Sequence, residues 1–369
     1  MTSIIYVGLD VHTSNYTACC YSMSDDRAFA VVQMEPDYKE ILKYLNRIRS
    51  QHGGDCRFLC GYEAGCLGYS LYHQLTNHGV DCVILAPSTM ATVPGNRIKT
   101  DKRDAEKIVR CLAYHSYRPV YVPDEEDNAV KEYIRMRDDG VAALKRVKQQ
   151  IIAFCSRNGK LFEGKNYWTQ KHLDWLHSLE LDHPILRETL QEYLVLFYSL
   201  AEKVDIYNLR IEELSHMPRY EESVKNLCCL NGIATHTAMC ALVEVGDFRR
   251  FEKASHFAAY LGLVPGEDSS SDRQRRTGIT KAGNAHLRRL LIEAAQCQSR
   301  GKLGVKSKAL RARQKEVTPQ IAAYSDRANE RLKRKYCRIA LHSKHNIAKT
   351  AVARELACFI WGMMTENYA

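Results

Sequence analysis

Five apolar runs of strand length fall within the first 85 residues, and stretches of helical periodicity separate the last three of them. Residues 4–11, 16–21 and 28–32 come first, the second and third joined by the polar Ser24-Asp25-Asp26. Residues 38–49 then repeat apolar side chains at Ile41, Leu42, Leu45 and Ile48, as one face of a helix requires. Residues 57–63 read as a strand, 67–75 as a helix, and 80–85 as a strand stopped by Pro87. Three strands, helix, strand, helix, strand describe a mixed α/β sheet.

Carboxylates punctuate that pattern. Asp10 interrupts the first strand and Glu63 closes the fourth. After the last strand comes Lys99-Thr100-Asp101-Lys102-Arg103-Asp104, which opens a helix with its apolar stripe at Ile108, Cys111 and Leu112. Thr100 suits an N-cap. Asp101 and Asp104, three residues apart, share a helical face and can point at one object. On its own an acidic first turn is also what the helix dipole favours in water. An acid inside an apolar strand costs free energy unless it is paired, exposed or metal-bound. Taken together, the four positions resemble the ribonuclease-H-like (RuvC-like) fold of the Holliday-junction resolvases, whose acids gather at one sheet edge around Mg²⁺. Two metals on four carboxylates suit phosphodiester chemistry, since they polarise the phosphate, activate a nucleophile and stabilise the leaving oxygen.

The rest of the chain is different in character. At 369 residues it has room for two or three domains, and 45% hydrophobic with 26% charged residues is ordinary globular composition. The expected division is 1–122 for the α/β domain, 123–220 for a helical or coiled-coil region, and 221–369 for a mainly α domain. Residues 125–154 are nearly free of Gly and Pro, with apolar positions at Val130, Ile134, Val141, Leu144, Val147 and Ile151. Pro184 can start a second long helix, so an antiparallel hairpin arm or a packed bundle is expected. Lys145, Arg146 and Lys148 fit either a nucleic-acid backbone or a solvated face.

Leu230-Asn231-Gly232-Ile233 sets a Gly turn before another helix. Residues 262–284 then read as a Gly/Ser-rich loop holding Ser269-Ser270-Ser271 beside Arg273, Arg275, Arg276 and Lys281, closed by a helix from Ala285. That composition fits a phosphate-binding surface, a nucleophile with charge stabilisation around it, or a disordered basic loop.

Net charge is +10, from 53 basic and 43 acidic residues, which favours a polyanionic partner. No run is apolar enough to span a bilayer, and the N-terminus lacks the basic-then-apolar pattern of a signal peptide. The 14 cysteines show neither Cys-x-x-Cys pairs nor zinc spacing, so reduced, buried thiols in a cytoplasmic protein are expected.

The ordered motifs Gly8-Leu9-Asp10-Val11, Tyr62-Glu63-Ala64-Gly65, the Lys99 to Asp104 stretch, Leu230-Asn231-Gly232-Ile233, Gly246-Asp247-Phe248, Tyr260-Leu261-Gly262-Leu263-Val264-Pro265 and Gly278-Ile279-Thr280-Lys281-Ala282-Gly283-Asn284 resemble the DEDD transposases. These are insertion-sequence recombinases guided by a bridge RNA, with the Piv-type DNA invertases as relatives. The resemblance implies metal-binding acids Asp10, Glu63, Asp101 and Asp104, with Mg²⁺ as cofactor. The cations Lys99, Lys102, Arg103, Arg273, Arg275, Arg276 and Lys281 beside these motifs are the candidate nucleic-acid contacts. The resemblance also implies a nucleophilic serine. The family's usual Ser-Ser-Gly is here Ser269-Ser270-Ser271, and the second serine of the pair corresponds to Ser270. The implied partners are DNA at element ends and target, a non-coding guide RNA, and further copies of the chain in a homodimer or homotetramer. Alternatives on the residues alone are a junction endonuclease that cuts by water attack, and a nucleic-acid-binding protein without catalysis.

Overall fold

The computed structural model describes residues 3–52, 54, 56–65, 67–90, 100–267 and 276–368. The chain divides into two compact units, Met1–Val122 and Pro123–Ala369.

The first unit is a five-stranded sheet with helices on both faces. Its elements run β1 (Ser3–Val11), β2 (Tyr16–Ser22), β3 (Arg27–Met34), α1 (Tyr38–Gln51), β4 (Cys56–Glu63), α2 (Ser70–Asn77), β5 (Asp81–Leu85) and α3 (Asp101–Ala113). The strand order is β3-β2-β1-β4-β5, with β2 antiparallel to both neighbours and β4 parallel to both of its own. Strand alternation decides which side chains go where. Ile5, Val7 and Leu9 of β1 and Phe58, Cys60 and Tyr62 of β4 pack in one core with Ile41 and Leu45 of α1 and Leu71 and Leu75 of α2. On the opposite face Cys19 and Tyr21 pack with Ala105, Val109 and Ala113 of α3. Each such large apolar side chain contributes about 1.5–3 kcal/mol when fully buried. Helix α2 begins at Ser70, three residues later than periodicity places it, because Gly68 adopts φ +58° in the preceding turn.

Two glycines let α3 lie close on the sheet. A Cβ on Gly8 would stand 2.5 Å from both the Ala105 carbonyl oxygen and the Val109 nitrogen. One on Gly61 would meet the Leu85 side chain at 2.8 Å and Leu112 at 3.2 Å.

The second unit is helical. It contains α4 (Glu125–Arg157), α5 (Gln170–His177), α6 (Pro184–Ser215), α7 (Glu221–Leu227), α8 (Thr235–Val245), α9 (Ala254–Tyr260), a ribbon of β6 (Pro265–Glu267) and β7 (Arg276–Ile279), then α10 (Ala285–Ala295), α11 (Lys308–Gln314), α12 (Pro319–Ala340) and α13 (His345–Met364). With 33 residues, α4 is about 50 Å long. Its late residues Val147, Ile151 and Phe154 pack with the early Leu190, Leu194 and Phe197 of α6, and its early Ile134 shares a core with the late Ile211. The two helices are therefore antiparallel. Helices α7 to α10, α12 and α13 close around one large core that includes Leu227, Met239, Phe257, Leu291, Leu332 and Leu356. No helix among the described residues is long and apolar enough to cross a membrane.

Candidate active site

Asp10 is placed by strand alternation. Leu9 faces the α1/α2 core, so Asp10 faces the α3 side of the sheet, near the end of β1. Glu63 ends β4, one step beyond the Leu9–Tyr62 pair, and alternation from buried Tyr62 puts it on the same face. Both acids thus stand at the carboxyl ends of adjacent parallel strands, where open α/β sheets bind their ligands. Helix α3 covers that face and brings its first turn to it. Thr100 caps the helix, accepting a hydrogen bond from the Arg103 N–H at 3.4 Å, so that Asp101 and Asp104 occupy the first turn. Lys102 and Arg103 are exposed beside them.

The carboxylates act on one another. Burial raises the Asp10 pKa, the neighbouring His12 opposes that rise, and the charges of Asp104 and Asp101 add to it. The Asp10 Oδ2 atom is shut off from solvent and has no hydrogen-bond partner. It lies 3.3 Å from His12 Nε2, an ion-pair distance without hydrogen-bond alignment. Asp10, His12 and Asp101 each offer a ligand atom within 4.8 Å of the others. Glu63 and Asp104 are not members of that tight group. A buried, unsatisfied carboxylate oxygen among repelling acids is relieved by a cation, and hard divalent ions favour oxygen donors. The residues present fit such an ion.

His12 is the residue that reading the acids alone misses. It stands one residue past the end of β1, where the chain turns and its backbone N–H donates to the Asn15 carbonyl at 3.0 Å.

In the second unit the described residues form the neck of the serine loop. What composition presents as a loop over 262–284 has a paired stem, with Pro265 opposite Ile279 and Glu267 opposite Arg276. The Thr280 N–H donates to the Val264 carbonyl, Lys281 to Gly262 and Asn284 to Tyr260. Arg288 donates to the Leu261 and Ala282 carbonyls at 2.9 and 2.8 Å, tying the two sides together. Gly283 has φ +65°, and a Cβ there would meet the Tyr260 carbonyl oxygen at 1.9 Å. Lys281 is exposed at this neck. Lys99, Ser269, Ser270, Ser271, Arg273 and Arg275 lie outside the described residues, as does the Arg276 side chain.

A polar network stands behind the neck. Asn284, the N-cap of α10, donates to Glu244 at 2.7 Å, and Arg135 grips both oxygens of Glu244 at 2.8 and 3.1 Å. Asp138 faces His236 at 2.9 Å, His286 at 3.1 Å, Arg137 at 2.8 Å and Arg289 at 3.1 Å. Burial works to raise the Asp138 pKa, but the close His236, His286 and Arg137 hold it well below the carboxylate range. Cys240, Glu244 and His286 also lie within metal-binding reach of one another. Since Arg135 and Asn284 already engage the Glu244 oxygens, that group is a structural ion-pair network.

Two family profiles match the chain. A DEDD transposase profile of the IS110 type covers residues 7–157, and that of the transposase IS116/IS110/IS902 family covers 224–309. The putative transposase y4qE of Sinorhizobium fredii is 36% identical over 306 residues, 83% of this chain and 75% of that protein. The transposase for insertion sequence element IS1533 of Leptospira borgpetersenii is 31% identical over 338 residues, 90% and 95% of the two chains. The pilin gene-inverting protein of Moraxella bovis is 24% identical over 304 residues, 80% of this chain and 84% of that protein.

Proposed function

The chain belongs to the IS116/IS110/IS902 family of transposases, and from that premise we propose that it cleaves and exchanges DNA strands using a Mg²⁺-binding acidic site and a nucleophilic serine. The observation that carries this reading is the buried Oδ2 of Asp10, which no hydrogen bond satisfies, grouped with Asp101 at the carboxyl ends of parallel strands. The strand order β3-β2-β1-β4-β5, antiparallel on one side and parallel on the other, supports a ribonuclease-H-like assignment for this unit.

Asp10, Glu63, Asp101 and Asp104 would hold the metal. When bound, Mg²⁺ supplies Lewis-acid polarisation of a phosphate oxygen and charge neutralisation. The residues themselves do the rest. The Ser270 Oγ attacks phosphorus and forms a P–O bond. The bond to the departing deoxyribose oxygen breaks, and that oxygen leaves with a proton. The phosphoserine link keeps the bond energy for the later joining step, which reverses the same exchange on another strand end. Lys281 at the loop neck, with Arg273, Arg275 and Arg276, offers positive charge to the phosphate, while Lys99, Lys102 and Arg103 serve the backbone near the acids.

A non-coding RNA from the same element would choose the DNA by base pairing, leaving shape recognition and chemistry to the protein. Assembly as a dimer or tetramer is supported by α6, where Val195, Leu196, Ile206 and Leu209 are exposed, Leu209 to 67%.

The test traps a covalent adduct on labelled DNA in denaturing gels. The wild type is expected to yield adduct. Ser270→Ala and Asp10→Asn are expected to lose it while still binding DNA. Full adduct from Ser270→Ala, with loss in Ser269→Ala or Ser271→Ala, moves the nucleophile. No adduct from any protein, alongside Mg²⁺-dependent cutting, replaces the serine pathway with water attack.

A further inference from the structure

We propose that His12 is a direct nitrogen ligand of the metal at the acidic site, which makes the donor set mixed and shifts its preference from Mg²⁺ toward Mn²⁺. The inference deepens the acidic-site reading above and rests on it.

Three observations support a ligand rather than a solvated surface imidazole. The first is position. His12 stands one residue past the end of β1, where the chain turns, and its ring reaches the Asp10 carboxylate. The backbone at His12 is held there by its hydrogen bond to Asn15. The second is distance. Metal–ligand bonds of about 2.1 Å put neighbouring donors of an octahedral ion about 3 Å apart and opposite donors about 4.3 Å apart. The 3.3 Å between His12 Nε2 and Asp10 Oδ2 is the spacing of neighbouring donors, and Asp101 offers a third ligand atom to the same group. The third is the unmade hydrogen bond. A histidine serving only to pair Asp10 would aim a ring N–H at the carboxylate. Here the two atoms are close, yet Oδ2 has no aligned donor and no solvent. An ion between the two atoms would satisfy both lone pairs at once.

The chemical consequence follows from donor type. Mg²⁺ keeps its waters and takes carboxylate oxygens, whereas imidazole nitrogen suits transition ions. Mn²⁺ accepts both donor types at octahedral geometry. A site in which His12 joins the carboxylates is therefore shifted toward Mn²⁺ relative to one of carboxylates alone.

The experiment uses full-length protein without nucleic acid. Mn²⁺ and Mg²⁺ affinities are measured by calorimetry for wild type, His12→Ala and Asp10→Asn, with circular dichroism to check folding. Spin-echo electron paramagnetic resonance of bound Mn²⁺ then reports ¹⁴N coupled to the metal. His12 is half exposed, so its truncation leaves the core untouched. The expected result is ¹⁴N modulation in wild type that His12→Ala abolishes, with roughly tenfold weaker Mn²⁺ binding and a smaller change for Mg²⁺. If wild type lacks the ¹⁴N signal while Asp10→Asn still abolishes Mn²⁺ binding, His12 is not a ligand and the acidic site stands. If Asp10→Asn binds Mn²⁺ as wild type does, the acidic-site reading and the inference fail together.

Discussion

Gly8 lies under α3 with no room for a side chain, and the geometry of the acids depends on it. Since any Cβ there would meet helix backbone at 2.5 Å, the clash cannot be relieved by turning a rotamer. Helix α3 has to move, and it carries Asp101 and Asp104. Overpacking of this kind typically costs about 1–3 kcal/mol. Gly8→Ala is therefore expected to lower the urea midpoint by that order and to weaken divalent-ion binding by more than a stability loss alone explains. Normal metal affinity in a destabilised Gly8→Ala protein would separate the helix approach from the site. Gly8 and Asp10 fall on one side of a strand of period two, and His12 stands just past its end. The carboxylate draws the eye because an acid in an apolar run is costly. The imidazole at the strand end breaks no such rule, and only the three-dimensional distance singles it out.

At the scale of elements, the aromatic plug between α4 and α6 has its own pH dependence. The buried His172 of α5 sits among Phe162, Tyr167, Trp168 and Trp175, with ring centroids 4.8 to 5.6 Å away. Its Nδ1 accepts the Trp168 backbone N–H at 3.2 Å, which requires that nitrogen to be unprotonated. Burial lowers the His172 pKa below its ordinary 6.5. The unfolded chain then takes up the proton at a higher pH than the folded one. The stabilisation is fully present above about pH 6.5 and is lost as pH falls toward the depressed folded value. Tryptophan-monitored melting should show a transition temperature that drops on going from about pH 8 to about pH 5.5, and His172→Phe should flatten the drop. An unchanged drop in His172→Phe would assign it to other groups. Neither α5 nor the β6–β7 ribbon is legible as an element in the sequence. Both are short, and their stability comes from packing and backbone pairing with distant residues rather than from local periodicity.

For the whole molecule, the net charge of +10 predicts how nucleic acid is held. Binding through backbone phosphates releases counterions, so a protein making about 6–10 such contacts loses roughly 10³ to 10⁵ in affinity between about 50 and 200 mM salt. Titrations of labelled duplex DNA should therefore show a steep linear fall of log affinity with log salt. Structured RNA from the same element should retain an advantage over random RNA of equal length at every salt. Equal affinities for the two RNAs would leave a generic binder.

The amino-acid order by itself determined the mixed α/β character of the first unit, the two long helices of the second, and the placing of Asp10, Glu63, Asp101 and Asp104 at strand ends and a helix start. Those features are written in short-range patterns, namely apolar periods of two and 3.6, a threonine cap and a proline start. Only the tertiary structure decided that Asp10 and Asp101 meet and that His12 joins them. It also decided that Arg288 and Gly283 close the neck of a loop that composition leaves open. These depend on sheet register, on the close approach that Gly8 permits, and on backbone carbonyls from opposite sides of a turn, none of which leaves a mark in neighbouring residues.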